Sequence, residues 1–264
     1  AELWSDSITY SHGYLVGLIS LVTLVSVLAR SRRSSRGHAS VLIAMIPVLA
    51  AWSLSYVADV EIGMFVLLPL ILALAFIAVL GWDAAKLTFF PLAYLYFSIP
   101  IWDFINGLLQ SGTVFAVSRI VRSLGVTALV VGNRVLIPAG TFEIAGGCSG
   151  IHFFIVSLAL AALYGYMYLT TWRQRLLLGV VAMLLALITN WVRVSTIIYA
   201  GHATGMQHYL ITVDHYYFGW LVFAISLIPF FLVAGWIRPP VGEGNRAPAT
   251  PIPSVQGKSL SIPI

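Results

Sequence analysis

Long apolar runs divided by brief polar stretches make up most of this chain, and the runs are continuous rather than alternating. Continuous runs fit membrane-spanning helices, whereas strands of a lipid-facing barrel alternate apolar and polar residues. The pattern predicts about seven spans, near residues 10–29, 41–57, 63–80, 87–105, 151–170, 176–200 and 215–236. Pro91 and Pro100 are expected to kink or end the fourth run. Arginines set the orientation. Arg30, Arg32, Arg33 and Arg36 follow the first run, Arg173 and Arg175 separate the fifth from the sixth, and Arg238 follows the last. Cytoplasmic loops carry the excess of basic residues, so these loops are assigned to the cytoplasm. Residues 237–264, rich in Pro, Gly and Ser, read as a disordered cytoplasmic tail.

The pattern changes between residues 107 and 147, the largest section outside the spans. Residues 110–124 set Val114, Val117, Ile120 and Val121 against Ser118, Arg119 and Arg122, which predicts an interfacial amphipathic helix. Its partial insertion would bring the spans to about eight. Leu129–Val131, Val135–Ile137 and Phe142–Ile144 are short β-prone pieces. Asn133, Pro138, Ala139 and Gly140 separate them, giving a small extracytoplasmic β-hairpin that feeds into Gly146-Gly147-Cys148. The expected fold is all-α: a polytopic transmembrane helical bundle forming one domain over residues 1–236.

Composition narrows the class. The chain has 264 residues, 60% hydrophobic and 9% charged, with a mean hydropathy of +0.96. A soluble domain would carry about 25% charged residues. The net charge of +5 resides mostly in short loops, so topology accounts for it and no nucleic-acid partner is expected. The single cysteine excludes an intrachain disulfide framework and a multi-cysteine metal site, and neither metal nor cofactor is expected.

That cysteine, Cys148, lies in Gly146-Gly147-Cys148-Ser149-Gly150, just before the fifth apolar run. The glycines imply a tight turn, and a thiol at a helix N-terminus meets unpaired N–H groups that favour the thiolate. A lone cysteine in an apolar helix is otherwise a small inert hydrophobe; glycines on both sides argue for more. Arg193 follows a long uncharged run, and a buried arginine in a bilayer costs enough to demand a polar cavity and a partner. Its bland alternative is snorkelling to the headgroups. Asn190 lies one helical turn earlier on the same face. The predicted topology brings Cys148, Arg193 and His215 to one side of the membrane on consecutive helices. Asp214 adjoins His215. His152, four residues after Cys148, is a rival base, and His12 lies at the same side.

The chain resembles the exosortase/archaeosortase family of integral membrane cysteine transpeptidases. The resemblance is carried by Tyr10-Ser11-His12-Gly13, Pro100-Ile101-Trp102-Asp103 and Cys148-Ser149-Gly150-Ile151. Asn190-Trp191-Val192-Arg193-Val194 and His215-Tyr216-Tyr217-Phe218-Gly219-Trp220 complete it. It implies Cys148 as nucleophile, Arg193 as essential arginine and His215 as the histidine; by position, Ser149, Gly150, Asn190, His152, His12 and Asp214 are read as supporting the site or binding substrate. Many members carry arginine where this chain has His152. The resemblance further implies exported partner proteins with a C-terminal Pro-Glu-Pro-like motif, one transmembrane helix and a basic tail, and an acyl acceptor of unknown identity. The lipid bilayer of the bacterial cytoplasmic membrane is the other partner. A second class remains open on the residues alone: a channel, transporter or assembly scaffold whose Arg193 and histidines bind an anion or a proton.

Overall fold

The computed structural model describes residues 4, 9–30, 39–212 and 216–238. Its helices are α1 (Gly13–Arg30), α2 (Val41–Val57), α3 (Glu61–Leu80), α4 (Trp82–Tyr94), α5 (Asn106–Ser123), α6 (Ile151–Tyr168), α7 (Trp172–Thr204), the short α8 (Tyr209–Thr212) and α9 (Tyr216–Ile237). Between α5 and α6 lie β1 (Leu129–Val131), β2 (Arg134–Ile137) and β3 (Gly140–Glu143). The protein is a helical bundle carrying a small sheet. Among the described residues, five helical stretches are long and apolar enough to cross a membrane: Glu61–Leu80, Pro100–Ser123, Ile151–Tyr168, Trp172–Thr204 and Tyr217–Ile237. Gly13–Ala29 and Val41–Val57 are shorter apolar helices.

The fourth run, expected as one span over 87–105, is interrupted. Proline disfavours α geometry in the residue before it. Ile99 accordingly sits extended at φ −108° and ψ 144° before Pro100, and tight 3-10 turns occupy Leu95–Ser98 and Pro100–Ile105. Beyond them the chain continues into α5 without a break. The segment read from its sequence as interfacial thus belongs to Pro100–Ser123, the least apolar of the five stretches, with a mean hydropathy of 1.2. Its buried stripe, Leu109, Thr113, Val114, Val117, Ser118 and Val121, has helical spacing and carries polar residues among the apolar ones.

The β-prone pieces form a three-stranded antiparallel meander, β1-β2-β3, one strand more than a hairpin. A two-residue turn joins β1 to β2, and Gly132 supplies the positive φ of +61° that such a turn requires. Val135, Ile137 and Ile144 pack with Val117 and Val121 of α5 and with Val194 and Ile198 of α7. The sheet is therefore seated on two helix ends.

At the other end of α7, Thr171 and Gln174 make a reciprocal capping box, with Gln174 N–H donating to Thr171 Oγ1 at 3.3 Å and Thr171 N–H to Gln174 Oε1 at 3.1 Å. Gln174 Nε2 also donates to the carbonyl of Ile237 at 3.1 Å, tying the start of α7 to the end of α9. The 21 positions from Trp172 to Arg193 correspond to about 32 Å along a helix, close to the ~30 Å hydrocarbon thickness of a bilayer. With the basic Trp172–Arg175 end at one boundary, Arg193 falls near the other, beside the sheet. Helix α2 buries none of its residues, and Ile43, Ile46, Leu54 and Val57 are exposed. Such surfaces are stable against lipid, where apolar contact carries no penalty.

Candidate active site

Cys148 ends a short 3-10 turn, Gly146–Cys148, and α6 begins only at Ile151. Gly150 between them takes φ +93°, a conformation that costs other residues roughly 1–2 kcal/mol. A Cβ at Gly150 would also stand 2.8 Å from Cγ and Nδ2 of Asn190. The glycine therefore serves both the turn and the close approach of α7. Because the helix starts after this break, Cys148 and His152 do not share a helical face through i,i+4 spacing.

The turn is held from behind by a buried polar set. Asn190 Nδ2 donates to the Cys148 carbonyl at 3.0 Å and to Thr113 Oγ1 at 3.2 Å. Thr113 Oγ1 donates to the Ser149 carbonyl at 3.0 Å, and Ile151 N–H donates to Ser149 Oγ at 3.3 Å. Thr113, Ser149 and Asn190 are fully or almost fully buried. An acceptor carbonyl on one side fixes the amide orientation of Asn190. Helices α5 and α7 thus clamp the two peptide groups that follow the sulfur.

Arg193 lies one turn beyond Asn190 and is 7% exposed. Arg193 and Cys148 line one cavity, and the cysteine acts on the guanidinium electrostatically. The arginine's charge also lies 5.8 Å from the centre of the Phe153 ring, and its Nε has no hydrogen-bond partner among the described residues. Gly219 of α9 permits this position, since a Cβ there would stand 2.8 Å from Arg193 Nε and 3.2 Å from Cδ. Among the described residues no carboxylate pairs with this guanidinium; the two ion pairs found are the exposed Lys86–Asp83 and Arg134–Glu143. A buried cation so placed favours an anion beside it strongly.

Two spaces meet at Arg193. One, of about 200 Å³, runs from Cys148 between β3, α7 and α8. The other, of about 50 Å³, is bounded by Gly147, Gly150, His152, Phe153, Gly219 and Trp220. His152 belongs to the second. Its Nδ1 lies 3.0 Å from the Thr9 carbonyl, and its ring meets those of His12 and Trp220 edge-on at 5.5 and 5.1 Å. His12 Nε2 lies 2.8 Å from the Phe97 carbonyl, and Tyr10 donates to Asp103 Oδ1 at 2.8 Å.

The structure accordingly brings Cys148, Ser149, Gly150, Asn190 and Arg193 together, with His152 lining the smaller space and His12 packed against it. His215 and Asp214 lie outside the described residues. Sequence reasoning missed Thr113, whose helix it read as interfacial, and Phe153, which looked like ordinary packing. Gly219 was legible only as part of the motif around His215.

No curated protein and no solved structure matches the chain. Residues 4–232, nearly the whole of the described bundle, match the family model of the transmembrane exosortases. With the motifs that carried the resemblance lying on consecutive elements of a membrane bundle, this chain belongs to the transmembrane exosortase family.

Proposed function

We propose that the protein is a membrane-embedded cysteine transpeptidase that cleaves the C-terminal sorting signal of exported proteins. The observation that carries this reading is the cavity that Cys148 shares with the buried Arg193. A cation with no carboxylate partner among the described residues favours the thiolate over the thiol and then receives the negative charge that develops during acyl transfer.

The Cys148 thiolate attacks the scissile carbonyl, and the C–N bond breaks as the leaving amine takes a proton. A thioester remains on Cys148. His215 is the proposed base that generates the thiolate and the acid that protonates the amine. An amine or hydroxyl acceptor, or water, then attacks the thioester and returns the sulfur as thiolate. The space of about 50 Å³ beside Gly147, Gly150 and Arg193 holds little more than one small group, given that a water molecule takes about 30 Å³. Its size supports placing the oxyanion there. Asn190, Ser149 and Gly150 keep the nucleophile turn in position; His152 and His12, with Asp214 beside His215, support the site.

The substrate is a Pro-Glu-Pro-like motif followed by one transmembrane helix and a basic tail. Docked among α6, α7 and α9, such a helix presents its end beside the thiol, and Arg193 can take the glutamate in a bidentate pair. The protein sits in a bacterial cytoplasmic membrane with the site on the extracytoplasmic side.

Co-expression with a candidate substrate tests the reading. Cys148→Ala should accumulate the uncut precursor, and Arg193→Lys should lose most processing because lysine cannot make the bidentate pair. Undiminished cleavage by Cys148→Ala would point instead to a binding or transport protein. Mass spectrometry of the new C-terminus distinguishes transfer to an acceptor from hydrolysis.

A further inference from the structure

The larger of the two spaces at Arg193 has no part in the bond-making steps above. It opens at Cys148 and extends along one face of α7, past Val194, Ile197 and Ile198, to Leu210 and Ile211 of α8. Phe142 of β3 forms the facing wall, and at the mouth Glu143 is paired with Arg134 at 3.3 Å. Apart from Cys148, Arg193 and Glu143 the lining is aliphatic or aromatic. At about 200 Å³ the space falls below the ~300–1,000 Å³ of sites that take whole drug-sized ligands. A transmembrane helix, ~10 Å or more across, cannot enter it. One extended side chain can.

We propose that this space is a specificity pocket for an aliphatic side chain of the substrate residue flanking the scissile bond, and that Gly201 sets its width. The proposal rests on Cys148 being the nucleophile: a peptide whose carbonyl reaches the sulfur has its neighbouring side chain at the pocket mouth. Burying that side chain removes apolar surface from water at the moment the carbonyl is presented. Gly201 is the lever. A Cβ there would stand 2.6 Å from Phe142 Cζ and 2.9 Å from Ile211 Cδ1, so both opposite walls lean into the room its missing side chain leaves. Gly201→Ala must displace Phe142, Ile211 or Met206, the first two of which line the cavity.

The test is a substrate series with Ala, Val, Leu, Phe or Asp at each position flanking the cut, ranked by kcat/KM in detergent or liposomes. For the wild-type protein one position should prefer Val or Leu over Ala by about tenfold or more, the usual scale for added methylenes in an apolar pocket, with Asp poorest. Gly201→Ala and Ile197→Phe should erase or invert the preference, cutting the Leu substrate far more than the Ala substrate. Ile211→Ala should shift the optimum toward Phe, and it decides alone if the crowding variants fail to fold. A ranking unchanged in Ile211→Ala, with Cys148→Ala inactive, overturns the pocket and leaves the transpeptidase reading standing. Cleavage retained by Cys148→Ala removes both.

Discussion

Thr113 shows how one hydroxyl can act on a reaction it never touches. It accepts from Asn190 and donates to the carbonyl of Ser149, joining two helices to the peptide groups behind the Cys148 sulfur. Thr113→Val keeps the shape and strands a buried carbonyl and part of a buried amide. The expected cost is about 1–3 kcal/mol of stability, read as a lower unfolding temperature in detergent. Thr113→Ser, which retains the hydroxyl, should recover most of it. Gly150→Ala should be worse, because it combines the positive φ with a Cβ that meets Asn190. The rate at which a maleimide alkylates Cys148 gives a second readout, since a displaced turn changes the exposure of the sulfur. Equal alkylation rates and stabilities in wild type, Thr113→Val and Gly150→Ala would show that the turn needs no such support.

At the scale of elements, α7 is the organising piece. Its start is fixed by the Thr171–Gln174 box and by the bond from Gln174 to Ile237, and its far end carries Asn190, Arg193 and the pocket wall. Thr171→Ala should cost about 0.5–2 kcal/mol, the usual range for an N-cap. Processing should persist in membranes at permissive temperature, because the cap lies about 32 Å from Arg193 along the helix. Thermal unfolding and precursor processing measured side by side check both halves. Breaking the Arg134–Glu143 pair by Glu143→Gln should change stability by no more than about 1 kcal/mol, since both side chains are more than half exposed. A larger loss in the same unfolding assay would mean that the sheet depends on the pair rather than on Val135 and Ile137.

For the whole molecule, the consequential expectation concerns sides. The Trp172–Arg175 end and the sheet lie at opposite ends of α7. If basic loops stay in the cytoplasm, a membrane-impermeant thiol reagent added to intact spheroplasts should label Cys148. A cysteine placed at Arg173 in a Cys148→Ala background should label only after lysis. The native protein has a single thiol, so the first measurement needs no engineering. Labelling in the opposite pattern would invert the topology and place the site on the wrong side for exported substrates.

The spans were legible because a bilayer imposes one solution on long apolar runs: every backbone polar group must be satisfied within the helix. Local chemistry was legible as well. Glycines around Cys148 announced a turn, Pro100 announced an interruption, and a lone arginine in an apolar helix announced a cavity. What the sequence left undecided was each case in which the partner comes from elsewhere in the chain. The helix holding Thr113 reads as interfacial because its polar stripe resembles a water-facing one. Only packing against α7 turns that stripe inward onto the cysteine loop. The break before α6 at Gly150 and the placement of His152 against Trp220 have the same origin. Sequence periodicity reports which environment a side chain suits, whereas contacts between residues 113 and 190, or 201 and 142, arise from the docking of whole elements. Composition and spacing therefore determined that this is a membrane bundle with a glycine-flanked cysteine at the start of one helix. Tertiary packing alone decided which side chains surround that sulfur, because it sets distances between segments that no local pattern encodes.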